Sequence, residues 1–186
     1  MLIGTAVFGR GKPKPVILAA MIGAVLPDLS LYLMAGTALF ILGIAPQVVF
    51  DELYFSQAWQ TVFAVDNSFV VWGLLLALAL YHRVQWAVAL TGAAMLHLSL
   101  DFPLHHDDGR PHFWPFSDWV FESPVSYWDR ARGAMWVAPL GLCASLGAAY
   151  AIWRQRLGLA MSCLVGVLLA AEVWVVRQWL FFFIDT

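Results

Sequence analysis

Long apolar runs separated by short polar connections set the layout of this chain. Five of them, 15–44, 67–81, 84–104, 133–153 and 157–184, approach or exceed the about 20 helical residues that cross a hydrocarbon core of about 30 Å. They predict an all-α integral membrane protein with about five transmembrane helices, forming one membrane domain over 1–186. The first run is too long for a straight crossing and carries Pro27-Asp28 near its middle. A kink is expected there, because proline removes a helix hydrogen bond and clashes with the preceding turn. The second run is short, with Asp66 and His82 at its water-facing ends. Asp66-Asn67-Ser68 reads as a helix cap, since these side chains accept bonds from first-turn amides. The aromatic-rich stretch 50–59 is expected to lie along the interface as a short amphipathic helix.

Charge then fixes the sidedness. Arg10, Lys12 and Lys14 precede the first run, His82 and Arg83 separate the second from the third, and Arg154 and Arg156 separate the fourth from the fifth. With five crossings all three connections fall on one side, which the positive-inside rule makes cytoplasmic. The expectation is a multi-pass membrane protein, its basic N-terminal segment cytoplasmic. Asp51, Glu52, Asp66, Asp107, Asp108, Asp118, Glu122, Asp129 and Asp185 gather on the opposite, periplasmic side, with Arg110, Arg130 and Arg132 as partners for carboxylates. The loop 105–132 alternates aromatics, prolines and acids, as in His112-Phe113-Trp114-Pro115, and predicts a structured, aromatic-rich extracytoplasmic lid.

Composition agrees. The chain is 62% hydrophobic and 12% charged, about half the usual charged share, and holds ten tryptophans. A net charge of −2 leaves no electrostatic footprint for nucleic acid. Cys143 and Cys163 sit in apolar runs and are expected as small buried hydrophobes, not a disulfide or metal pair. A cleavable signal peptide is not expected, because the basic cluster follows the short apolar start instead of preceding it. Glycine-rich phosphate loops, G-x-S-x-G elbows and C-x-x-C pairs do not occur.

The candidate chemistry is concentrated in 97–112, which holds four of the five histidines. His97, Asp101 and His105 share one face of a continuous helix. His97 and Asp101 could coordinate a divalent ion, zinc by ligand type, or could simply hydrogen-bond each other. Pro103 is expected to end the helix and let His105 and His106 fold back. Asp28, in mid-membrane, must pair, bind metal or protonate, at a cost of at least ~2.5 kcal/mol if left alone. If an ion binds, the expected metal set is Asp28, His97, Asp101 and His106, with His105, Asp108 or His112 as further ligand or general base. Glu172 and Arg177 read as a structural charge pair or as contacts to other spans. Trp174, Trp179 and 181–183 form an aromatic outer end.

Leu26-Pro27-Asp28, followed by His97-x-x-x-Asp101 and Trp114-Pro115, resembles the bacterial membrane-bound metal-dependent hydrolases over roughly 1–116. That family is distantly similar to zinc-dependent phospholipase C. The resemblance implies that Asp28, His97 and Asp101 are metal ligands. The family's histidine in a short first helix and its H-R-G-x-T-H-S motif are replaced here by Met1-Leu2-Ile3-Gly4 and Asp66-Asn67-Ser68. The added His105-His106-Asp107-Asp108 and His112-Phe113-Trp114-Pro115 look like a subgroup's own pattern.

The expected function is a metal-dependent hydrolase-like activity on a lipid or headgroup ester, from a site facing the periplasm, with membrane lipids as partners. The alternative is a non-catalytic accessory or assembly subunit of a photosynthetic or respiratory complex, in contact with other membrane-protein subunits. A third reading is a proton or metal transporter using Asp28, His97 and Glu172.

Overall fold

The computed structural model describes residues 1–177, and no strand occurs among them. In chain order the helices are α1 (Leu2–Gly9), α2 (Lys14–Gly23), α3 (Leu26–Gly36), α4 (Pro46–Val48), α5 (Gln57–Asp66), α6 (Phe69–Tyr81), α7 (Gln85–Asp101), α8 (Ala134–Trp153) and α9 (Leu159–Arg177). α3 runs on into a π-helical turn, Thr37–Ile41, and a second one, Val49–Leu53, follows α4. Four helical stretches are long and apolar enough to cross a membrane: Gln57–Tyr81, Gln85–Leu104, Ala134–Trp153 and Leu159–Arg177. A fifth arises if α2 and the stretch Leu26–Ile41, bent by 59° against each other, count as one crossing. The chain is an all-α, multi-pass membrane protein.

Its exterior is apolar, as lipid requires. Leu74, Trp136, Leu140 and Val167 point outward and stay exposed. Cys143 and Cys163 are free and exposed on the same outer surface, contrary to the expectation of burial. In lipid an apolar side chain gains nothing by being hidden, so the hydropathy of a run does not say which face is inside.

Small residues hold the centre. α2 packs most extensively on α7, with Ala20 and Ala24 against Ala89 and Ala93. Gly23 is the point of closest approach: a Cβ there would lie 1.9 Å from the Leu90 carbonyl oxygen. Such small-residue seams let helix backbones touch where no hydrophobic effect drives association. The short α1 is part of the bundle, with Leu2 buried in a cluster with Met21, Ala149, Ile152 and Val165.

The break between α2 and α3 behaves as proline chemistry demands. The Asp28 amide bonds to the Val25 carbonyl, and Pro27 has no amide to give. The Ala24 carbonyl is therefore open to a partner from another helix. Asn67, at the junction of α5 and α6, donates its side-chain amide to the Pro27 carbonyl at 3.2 Å. Ser68 caps α6 by accepting from the amides of Val70 and Val71, as the sequence predicts.

The three basic connections meet at one end of the bundle. The Gly11 amide donates to Gln155 Oε1 at 3.0 Å, joining the α1–α2 turn to the α8–α9 turn. Glu172 lies 3.6 Å from the Met1 amino group, the contact to another helix that the sequence allows, while Arg177 stands over the Trp174 ring. The aromatic end at Trp179 and 181–183 lies outside the described residues, as does the end of the fifth run.

Candidate functional site

The site is built where α7 meets the α2–α3 break. His97 lies near the end of α7, and its Nδ1 donates to the Ala24 carbonyl at 2.9 Å. A carbonyl only accepts, so Nδ1 carries the proton and Nε2 is left to serve as an acceptor. Nε2 lies 3.4 Å from Asp28 Oδ2, is buried, and has no hydrogen-bond partner. An imidazole lone pair and a carboxylate facing each other need positive charge between them, from a proton or a metal ion. The sequence alternative in which His97 and Asp101 bond each other is not what the structure holds: Asp101 is taken by His105.

Asp28 has two further neighbours. Tyr32, one turn along α3, donates to Oδ2 at 3.4 Å. Arg110, from the lid, places Nη1 3.8 Å from Oδ1. The Arg110 guanidinium is buried, stands 4.6 Å from the centre of the Phe63 ring, and donates from Nη2 to the Tyr54 hydroxyl. Its Nε and Nη1 have no hydrogen-bond acceptor. The sequence predicts a carboxylate partner for Arg110, and the structure supplies Asp28; the bond to Tyr54 is not visible in the sequence. The available signal was a lone arginine inside the aromatic-rich loop.

Pro103 ends the helix as expected. α7 stops at Asp101, a 3-10 turn covers Phe102–Leu104, and His105 is extended. His105 folds back so that Nε2 meets Asp101 Oδ2 at 2.7 Å. On its other side Nδ1 is 2.9 Å from Asp108 Oδ1, at ion-pair distance but without hydrogen-bond alignment. Burial opposes charge on this ring, but the bond to Asp101 and the nearness of Asp108 outweigh it and raise its pKa to about 10. His105 is thus an imidazolium at neutral pH and a poor general base.

The other two histidines of 97–112 hold the lid. His106 Nδ1 donates to the Ser123 carbonyl at 2.7 Å, and its Nε2 is 3.2 Å from Asp107. The structure does not bring it to Asp28 and His97. His112 is buried between Phe69 and Phe102, with ring centres 5.4 and 5.1 Å away. Its Nδ1 donates to the Arg110 carbonyl at 2.7 Å, and burial pushes its pKa down. Its backbone carbonyl accepts the Phe69 amide at 2.8 Å, and Ser68 donates its hydroxyl to the Trp114 carbonyl. Ser123 closes the other side by donating to the Pro103 carbonyl at 2.6 Å.

The lid therefore forms a packed cover fixed to α6 and α7. Beneath it lie the pair Asp28–His97, the buried cation Arg110 and the triad Asp101–His105–Asp108. Among the described residues no three histidine, cysteine, aspartate or glutamate side chains converge closely enough to cage an ion.

No family model, curated protein or solved structure matches this chain.

Proposed function

We propose that the chain is an inner-membrane, metal-dependent hydrolase-like protein whose site faces the periplasm and acts on an ester at lipid-headgroup depth. The observation that carries the reading is the Asp28–His97 pair. A charge-assisted hydrogen bond would close to about 2.7–2.9 Å. The separation of 3.4 Å is instead near the about 3.4 Å between two donors of a tetrahedral zinc ion with bonds of about 2.0–2.1 Å. The backbone bond at His97 Nδ1 is the kind of outer contact that fixes the tautomer of a metal-binding imidazole. A buried nitrogen without a partner and a carboxylate opposite it fit a divalent cation.

In this reading Asp28 and His97 hold the ion. Asp101, one turn further along the same face of α7, would be the third ligand; in this structure its carboxylate is held by His105. When bound, the ion supplies Lewis acidity and a hydroxide nucleophile at neutral pH. Arg110 turns its two unpaired donors toward the anionic part of the ester. His105, flanked by two carboxylates, is a proton donor for the leaving oxygen. His106 is part of the lid in this account, not of the metal set. Tyr54 and Phe63, packed against Arg110, exclude water.

The test uses full-length protein in nanodiscs of phosphatidylglycerol and phosphatidylethanolamine, with products followed by mass spectrometry. Hydrolysis is expected to depend on added zinc and to disappear in Asp28→Asn and in His97→Gln. Zinc binding without hydrolysis would reject the enzymatic reading and leave a metal-holding scaffold.

The second reading, an accessory subunit of a larger membrane complex, draws on the exposed aromatics Phe116, Trp119 and Trp136. Exposed aromatics of this size are what a partner subunit covers. Purification from native membranes as part of a stable complex, with no lipid turnover, would favour it.

A further inference from the structure

We propose that the basic end of the bundle holds a built site for an anionic phospholipid, with the phosphate between Lys12 and Arg83 and an acyl chain along the cleft below them. The cleft has a volume of about 420 Å³, within the range of small-molecule sites. It lies where the α1–α2 turn faces the α6–α7 turn. Phe8, Val16, Leu80 and Val88 line it, so apart from the two cations and a glutamine the wall is hydrocarbon.

Two features set the charge of the occupant. The connections 10–14, 82–85 and 154–158 carry Arg10, Lys12, Lys14, Arg83, Arg154 and Arg156 and contain no aspartate or glutamate. Among the described residues none of these six cations has a carboxylate within ion-pair distance. The cations at the cleft mouth therefore await an external anion, and the apolar wall calls for a ligand with a hydrocarbon tail. A soluble phosphate would satisfy only the mouth. Basic pockets beside transmembrane helices meet the anionic lipids of the cytoplasmic leaflet in this way. Phe8 matters to the shape: it packs against Gly92 of α7, where a Cβ would strike its ring, and so forms one wall of the cleft. The site is remote from Asp28 and His97 and does not depend on the proposed metal centre.

Full-length protein in mild detergent, equilibrated with an equimolar mixture of phosphatidylglycerol and phosphatidylcholine of matched chains, tests the site by native mass spectrometry. Phosphatidylglycerol should be retained on the order of tenfold over phosphatidylcholine. The double variant Lys12→Gln/Arg83→Gln should bring retention close to parity. Lys14→Gln/Arg156→Gln removes the same charge from the same end outside the cleft and should leave the preference in place. Equal retention of the two lipids by the wild type would overturn the proposal. So would an equal loss in both double variants, which would mean a diffuse basic surface, or displacement of phosphatidylglycerol by inorganic phosphate, which would mean a soluble-anion site.

Discussion

His105 returns onto Asp101, one helical turn earlier in the chain, and closes a 2.7 Å contact that ties the first residue of the lid to the last residue of α7. Asp108 approaches the same ring from the other side. This contact carries the lid's inner edge, because the neighbouring attachments, Ser123 to Pro103 and Tyr127 to Leu104, involve backbone carbonyls that only a fixed turn presents.

His105→Ala should therefore loosen the lid more than the bundle. Removing the ring leaves two carboxylates close together under the lid without their shared cation, a loss of about 1–3 kcal/mol. Hydrogen exchange should rise over 105–132 and stay unchanged in α8. Unchanged exchange in the lid would show that its attachment lies elsewhere.

The α2–α7 seam predicts two unequal glycine substitutions. Gly23→Ala places a Cβ against the Leu90 backbone, which cannot move aside without separating the helices. It should cost about 3 kcal/mol, at the upper end for overpacking. Gly92→Ala, on the α1-facing side of α7, meets first the Phe8 ring, a side chain that can turn away, and should cost about 1 kcal/mol. Thermal unfolding in detergent measures both, and equal losses would contradict the packing described. Because Gly23 adjoins Ala24, the first variant should also disturb His97.

His112 supplies the pH dependence. Burial lowers its pKa in the folded protein, so the unfolded chain binds a proton that the folded chain resists. Its neutral form costs nothing above the unfolded value of about 6.5. Stability should fall as the pH drops below that value toward the depressed folded pKa. His112→Phe, which keeps an aromatic ring between Phe69 and Phe102, should flatten the fall in melting temperature between neutral pH and mild acid. An unchanged slope would exclude His112 as its source.

Most crossings were legible because lipid demands long apolar runs, but the second begins at Gln57 and runs through Asp66, which the sequence placed at a water-facing end of 67–81. The bend near Pro27 was legible for the same kind of reason, since one missing amide is visible in the sequence. The role of α1 was not. With eight residues and apolar neighbours on several sides, it has no periodicity to reveal that Leu2 is a core residue. At the site, the spacing of His97 and Asp101 showed a shared helix face but not their partners. Those partners come from elsewhere in the fold: the Ala24 carbonyl from the helix break, Asp28 from α3, and Arg110 from the lid. Of the two readings of Glu172, the pair with Arg177 and a contact to another helix, packing of α1 against α9 supplies the second, at the Met1 amino group.

The account turns on whether Asp28 and His97 share a cation. Calorimetric titration of metal-stripped, full-length protein with zinc tests this most directly. One equivalent should bind to the wild type, with affinity reduced by more than about tenfold in both Asp28→Asn and His97→Gln. Absence of binding, or binding that both variants leave untouched, would contradict it.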